Sequence, residues 1–437
     1  MDSNCTETPK NPLPPTEPVL SQEQIDTFLR DGVLVVQDFL LPQEIQTAKE
    51  GLSISLRQLA QVDTSKLETT GHGLTQLSST NGSGGVLDIF YQDWQCRIAT
   101  HPALFQATTQ LWKAAYCHQG EPKQKIAQEE AYKWHPHGAF DPHKGYCYMD
   151  RVGFRLPTEL ATKLGQDLAS TTKETETQTT STATATTAKN KKRNKSVAIQ
   201  RSLTPHLDCC PDTFESTHNK SKWRPIQCFL SLTDTLQPNH GGFEAAKGFH
   251  RDFEQWAKDR PPTEYTVQQK QQIKGKRVVS KQHVSIPAPC IGEYTHMRPK
   301  EDTTVMQRVQ HVPHVQAGSV VFFDNRIPHA NAYRHDGTLP RIVLYCSFLP
   351  DVPLNRIYAQ EQLQKFRRNI PPNDQWIQSQ SQSQSNEDQQ QLQDNVQDGD
   401  VARNDDNHRD QESLPSWLTD SPLARKLMAI EPWGEGD

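Results

Sequence analysis

A mainly β core clad by helices, in the α+β class, is predicted by two patterns in this 437-residue chain. A dense run of short β-branched and aromatic segments, separated by turns rich in Gly, Pro, Asn and Asp, fills its second half. That spacing argues for a barrel or a double-sheet jelly roll. Helical periodicity brackets the run at both ends, so the β core carries helices around it. Polar tracts shorten what can fold to roughly 300 residues, which suits one large domain.

The elements follow in order. Residues 1–18, rich in Pro, Thr, Glu and Asn, lack any apolar period and are expected to be a disordered lead to a domain spanning 19–370. Ser21 and Gln24 form a capping-box pattern for a helix to Arg30, and Gly32 punctuates before the strand Val33-Leu34-Val35-Val36. Pro42 opens a helix with Ile45, Ala48, Leu52, Leu56 and Leu59 on one face, and a second helix is predicted from Pro102 to Tyr116. Tyr146 to Leu156 reads as a strand stopped by Pro157. Residues 169–189 are mostly Thr, Ala, Ser and Glu, and a basic Asn-Lys-Lys-Arg-Asn-Lys follows at 190–195. The whole stretch at about 165–198 is expected to be a disordered insertion, its basic cluster solvated charge rather than a nuclear address. Strands are then predicted over Ser202–Cys209, Ile226–Leu232, Gly242–Ala246, Ser319–Phe323 and Arg341–Phe348, and a helix from Pro353 to Arg367. Residues 371–413 read as a Gln/Ser/Asp-rich linker. Within 414–437, Ser421 and Pro422 start a last helix, whose Leu423, Leu427 and Ile430, flanked by Trp417 and Trp433, are expected to dock on the core.

Charge is balanced, 47 basic against 52 acidic residues for a net −5, so neither a nucleic acid nor an anionic membrane is expected as a partner. Nine cysteines contain no CxxC pair; a zinc ribbon and a disulfide scaffold are not supported, and Cys209-Cys210 is read as packing. No stretch approaches the ~20 apolar residues of a membrane span. A soluble, cytoplasmic protein is expected.

The pattern that carries chemistry is His206-Leu-Asp208 with His329 far downstream. Two histidines and one carboxylate on one face of a metal are the ligand set of non-heme Fe(II) oxygenases. His-x-Asp is a cheap pattern, and it occurs three times here. His408-Arg-Asp410 lies in the polar tail, and His250-Arg-Asp252 leads into a helix, where residues two apart diverge. Only His206 and Asp208 sit on a predicted strand, where residues two apart share a face. His329 is favoured as third ligand over His335, His311 and His314, because the apolar strand from Gly318 feeds a short turn ending on it. Arg341 opens the next strand. Its guanidinium there pairs either with a protein carboxylate or with that of a cosubstrate.

These blocks together resemble the phytanoyl-CoA dioxygenase family of Fe(II)/2-oxoglutarate oxygenases. The opening Leu20 to Val36 is similar to the family's first helix, glycine and strand; Pro205-His-Leu-Asp208 to its His-x-Asp; Pro225 to Asp234, Asn239 to Phe243 and Lys247 to His250 to its central strand, glycine turn and Gly-x-His segment. Gly318 to Asp324, His329 and Arg341 resemble the distal strand, third ligand and cosubstrate arginine. The resemblance covers residues 20–350. It implies a double-stranded β-helix (jelly-roll, cupin-like) core, with Fe(II) held by His206, Asp208 and His329. It further implies 2-oxoglutarate gripped by Arg341 with Asn331, O2 as co-reactant, and oxidation of a small organic molecule as succinate forms. Because Asp208 is present where related halogenases lack the carboxylate, hydroxylation or another oxidation is expected. Two departures are the insertion and the arginines Arg326 and Arg334, which compete with Arg341 for the anchor role.

Two other readings keep the same residues: a non-catalytic jelly-roll interaction or metal-binding protein, and a Zn/Mn-dependent hydrolase. Trp94, Trp134, Tyr148 and Trp223 are read as core before pocket, and His135, His137 and His143 as a loop before a second metal site.

Overall fold

The computed structural model describes residues 18–78, 82–117, 137, 140–179, 198–211, 222–260, 263–273, 276–288, 294–372 and 415–434. The lead to residue 17, the basic cluster at 190–195, Trp134, His135 and His408-Arg-Asp410 lie outside them, as does most of the expected linker. Among the described residues the strands are β1 (Val33–Val36), β2 (Val86–Leu87), β3 (Gly145–Arg155), β4 (His206–Leu207), β5 (Ile226–Ser231), β6 (Phe243–Ala246), β7 (Thr263–Ile273), β8 (Lys276–Ala288), β9 (Thr295–His296), β10 (Val309–His311), β11 (Val320–Asp324), β12 (His329–Asn331) and β13 (Arg341–Pro350). The helices that frame them are α1 (Gln22–Asp31), α2 (Pro42–Ala60), α3 (Leu67–Thr70), α4 (Asp93–Ala99), α5 (Pro102–Tyr116), α6 (Thr158–Thr179), α7 (Phe253–Asp259), α8 (Thr303–Arg308), α9 (Pro353–Arg367), α10 (Ser416–Thr419) and α11 (Pro422–Leu427).

Two antiparallel sheets make a double-stranded β-helix with helices around it. The larger runs β1-β11-β5-β13-β3-β2, the smaller β10-β6-β12-β4-β9, and β7 with β8 forms a separate hairpin. Alternation along the strands of the larger sheet assigns their faces. Leu34, Val320, Phe322, Cys228, Leu230, Leu344 and Cys346 join the helices in one core. Val33, Val321, Phe323, Phe229 and Val343 join Phe243 and Ala245 of the smaller sheet in a second core between the sheets. With both faces buried, these strands read as unbroken apolar runs.

Local chemistry sets the element ends. Ser21 accepts from the Gln24 N–H while the Gln24 side chain accepts from the Ser21 N–H, the reciprocal cap of α1. Gly32 ends α1 at φ +66°, and a Cβ there would lie 2.4 Å from His250 Nδ1. At the far end, the Ser421 hydroxyl caps α11 through the Ala424 N–H. Trp417, Leu418, Ala424 and Leu427 lie in the helix-side core, and Trp433 Nε1 donates to the Gly145 carbonyl on β3.

Three expectations are corrected. The insertion expected at about 165–198 is helical through Thr179: Leu160, Ala161 and Leu164 anchor α6, and the Lys, Gln, Leu and Ala that follow are strong helix formers. The strand expected over Ser202–Cys209 is ordered as a ladder only at His206–Leu207, since Pro205 cannot donate. Cys210 is disulfide-bonded, against the reading of Cys209-Cys210 as packing, while Cys209 is a buried thiol that donates to the Asn325 carbonyl at 3.3 Å.

Candidate metal centre

His206 and His329 face each other across the β4–β12 ladder. Each ring is oriented by its own strand: His206 Nδ1 meets the Thr204 carbonyl at 2.7 Å, and His329 Nδ1 the Ile327 carbonyl at 3.0 Å. A ring that donates from Nδ1 leaves Nε2 as a lone-pair donor, the arrangement that second-shell carbonyls impose on metal-ligating histidines. Both Nε2 atoms turn toward Asp208, at 3.5 Å from Oδ1 for His206 and 3.6 Å from Oδ2 for His329. One donor atom from each residue lies within 4.8 Å of the others, and among the described residues this is the single such group of three.

The surroundings prepare these donors. Phe323 and Phe243 flank His329 with ring centroids at 4.7 and 5.7 Å, and Tyr294 stacks on His206 at 4.7 Å. Burial, and then the neighbouring His329, push the His206 imidazole down to about 3, so it is neutral as ligation requires. Burial alone would raise Asp208. The neighbouring His329 and His206 and the Arg224 guanidinium overcome it and hold the carboxyl well below its ordinary range. Two imidazoles and a carboxylate sharing one focus fit a divalent first-row metal.

Arg341 opens β13 on the same face as Val343, inside the space between the sheets, with its guanidinium 5.4 Å over the Phe229 ring. It is 2% exposed, yet among the described residues its Nε and Nη1 have no hydrogen-bond partner. A buried cation in that state is costly unless an anion meets it. Its rivals are committed elsewhere: Arg326 is paired with buried Asp324 at 2.8 Å, and exposed Arg334 with Asp336 at 2.7 Å. Asn331, two residues beyond His329 and on the same face of β12, is buried with its amide 3.5 Å from the Gly84 carbonyl.

His311, His314 and His335 are not part of the three-donor group, nor are the described His137 and His143. His250 is spent on packing, with Nε2 on the Leu29 carbonyl at 3.2 Å. Trp94 and Trp223 are core residues; Trp94 Nε1 bonds the Ser55 hydroxyl at 3.0 Å. Tyr294, Arg155 and Arg224 carry no signal in the sequence pattern. Arg155 binds the carbonyls of Ala332 and Tyr333, and Arg224 approaches Asp208 at 4.0 Å. Arg224 stands two residues before β5, and position alone does not reveal which way such a side chain turns.

Fold and site together define a cupin-like β-helix protein with a two-histidine, one-carboxylate centre. The chain belongs to the Gig2-like family, whose model matches residues 16–404. No curated protein gives a significant sequence match. Among solved structures it is similar to GlcNAc Inducible Gene 2, GIG2 (DUF1479), from Candida albicans, at 14% identity and TM-score 0.56, over 95% of this chain and 78% of that one. It also matches the hypothetical protein JW0805 from Escherichia coli (12% identity, TM-score 0.49, 81% and 74% covered). EctD from S. alaskensis with 2-oxoglutarate and 5-hydroxyectoine matches at 12% identity and TM-score 0.36, with 76% of each chain covered.

Proposed function

We propose that the chain is an Fe(II)- and 2-oxoglutarate-dependent dioxygenase that hydroxylates, or otherwise oxidises, a small organic molecule while 2-oxoglutarate is decarboxylated to succinate. One observation carries this reading. A two-histidine, one-carboxylate donor set and a buried guanidinium that meets no carboxylate among the described residues open on the same inner face of the β-helix. The motif resemblance to the phytanoyl-CoA dioxygenase family supports it.

Each residue has a part. His206 and His329 bind the metal through Nε2, and Asp208 supplies the anionic ligand. Bound Fe(II) would activate O2, which is the oxidant. Arg341 grips the far carboxylate of 2-oxoglutarate, assisted by Asn331, and so fixes which end faces the metal. Phe243, Phe323 and Tyr294 exclude water around the histidines. The balanced charge favours a small-molecule partner over nucleic acid or membrane. No helix among the described residues is long and apolar enough to cross a membrane, and we place the protein in the cytoplasm, with one catalytic domain over 19–370.

The test is succinate release from 2-oxoglutarate with Fe(II), oxygen and a metabolite extract, for the wild type and Asp208→Ala. Oxygen-dependent succinate from the wild type alone is expected. Substrate turnover that persists without oxygen would favour a hydrolase, and failure to bind 2-oxoglutarate anaerobically a non-catalytic protein.

A further inference from the structure

We propose that Arg224 is a positioning residue of the metal centre, holding Asp208 in its ligating orientation through an Asp150–Arg224–Asp208 chain. The inference rests on the metal reading above. Arg224 donates from Nη1 to Asp150 Oδ2 at 3.1 Å, while its Nη2 stands 4.0 Å from Asp208 Oδ2. The same Asp208 oxygen lies 3.6 Å from His329 Nε2. The guanidinium also lies over the Tyr148 ring, 4.4 Å from its centroid. Its plane is thus fixed by an acid at one end and an aromatic face on one side, with Nη2 turned toward the ligand carboxylate.

Asp208 needs such a support. It lies just beyond β4, which is two residues long, so no ladder fixes its backbone. Among the described residues no backbone N–H donates to either of its oxygens. The histidines, by contrast, are each pinned by a carbonyl on their own strand. Arg224 therefore links the exit of β4 to β3, the longer strand that carries Asp150.

Charge and orientation make opposite demands, which makes the role testable. A bare guanidinium beside the centre repels a divalent cation, so its removal would tighten metal binding. Asp150 offsets that charge, leaving the orienting contact as the dominant effect. Loss of an orienting partner of a ligand typically costs 10–100-fold in metal affinity.

The experiment is titration of the full chain with Mn(II) alone, read by loss of the free-ion paramagnetic resonance signal. The proteins are the wild type, Arg224→Gln, Arg224→Lys, Asp150→Asn, the double variant Arg224→Gln/Asp150→Asn, and Asp208→Ala. Arg224→Gln should weaken Mn(II) about 10–100-fold, with Arg224→Lys and Asp150→Asn weakened less. The double variant should bind no worse than Arg224→Gln, because both act through one contact. Unchanged or tighter binding by Arg224→Gln overturns the proposal. Should that variant fail to fold, Arg224→Lys decides: weaker binding supports the role and wild-type affinity overturns it. If Asp208→Ala loses Mn(II) while Arg224→Gln keeps it, only the role of Arg224 falls. If the wild type binds no better than Asp208→Ala, the metal reading falls with it.

Discussion

Arg341 on β13 stands directly across from Arg155 on β3, and both are buried. Among the described residues neither forms an ion pair. Burial, and then the charge of Arg341, push the Arg155 guanidinium down to about 10. Like charges directly opposed in a sheet destabilise it, so the fold carries a positive charge here that ligand-free protein would be better without.

Replacing Arg341 should therefore separate stability from binding. Arg341→Leu is expected to leave the ligand-free thermal midpoint unchanged or raised. Its affinity for 2-oxoglutarate should fall by at least ~2 kcal/mol, the lower end for losing a buried charge partner. Thermal melting, with calorimetric titration under nitrogen, checks both.

Asp324 holds the end of β11 to the helices, accepting from Arg326 Nε at 2.8 Å and Nη2 at 3.0 Å and from the Tyr116 hydroxyl. Asp324→Asn leaves a buried guanidinium without its anion and should cost about 3–5 kcal/mol by urea denaturation. Burial would raise this carboxyl, but Arg326 outweighs it and the group is held below its ordinary value of 3.8. Its contribution is therefore complete above that pH and is lost as pH falls below it. In Asp324→Asn that acid-side loss should be missing.

His250 should weaken the fold in mild acid. Burial, only partly offset by Asp324, pushes its imidazole down to about 4. The unfolded chain takes up a proton near pH 6.5 that the folded chain refuses, so stability is complete above 6.5 and falls between 6.5 and about 4. The loss for this residue is about 3 kcal/mol. Denaturation curves at pH 7.5 and 4.5 should show it, and His250→Gln should flatten that part of the profile.

Gly32→Ala should be far costlier than an ordinary loop substitution. Its φ of +66° costs an L-residue ~1–2 kcal/mol. The added methyl also meets His250 Nδ1 at 2.4 Å and Ile327 Cδ1 at 2.7 Å. A drop in thermal midpoint, with His250→Ala/Gly32→Ala losing less than the sum of the single variants, would confirm the steric cause.

Much of this architecture was legible where local signals are strong. The helix limits at Pro102–Tyr116 and Pro353–Arg367 follow from proline starts and apolar period, and β1, β5, β11 and β13 from β-branched and aromatic runs. Among three His-x-Asp copies, strand context singled out His206 and Asp208, which with His329 form the three-donor group. What stayed hidden depends on distant partners. β4 has two residues and is held by β9 and β12; β2 likewise exists through β3. The reach of α6 to Thr179 was masked by Thr-rich composition. Arg224 and Arg155 matter through partners distant in the chain, which spacing along it does not encode.

The most direct test of the central claim is a crystal of the full chain grown with Mn(II) and 2-oxoglutarate under nitrogen, the ion located by its anomalous signal. The account predicts one peak within bonding distance, about 2.2 Å, of His206 Nε2, His329 Nε2 and an Asp208 oxygen, with a carboxylate of 2-oxoglutarate on Arg341. A peak held by other residues, or 2-oxoglutarate bound away from Arg341, would contradict it.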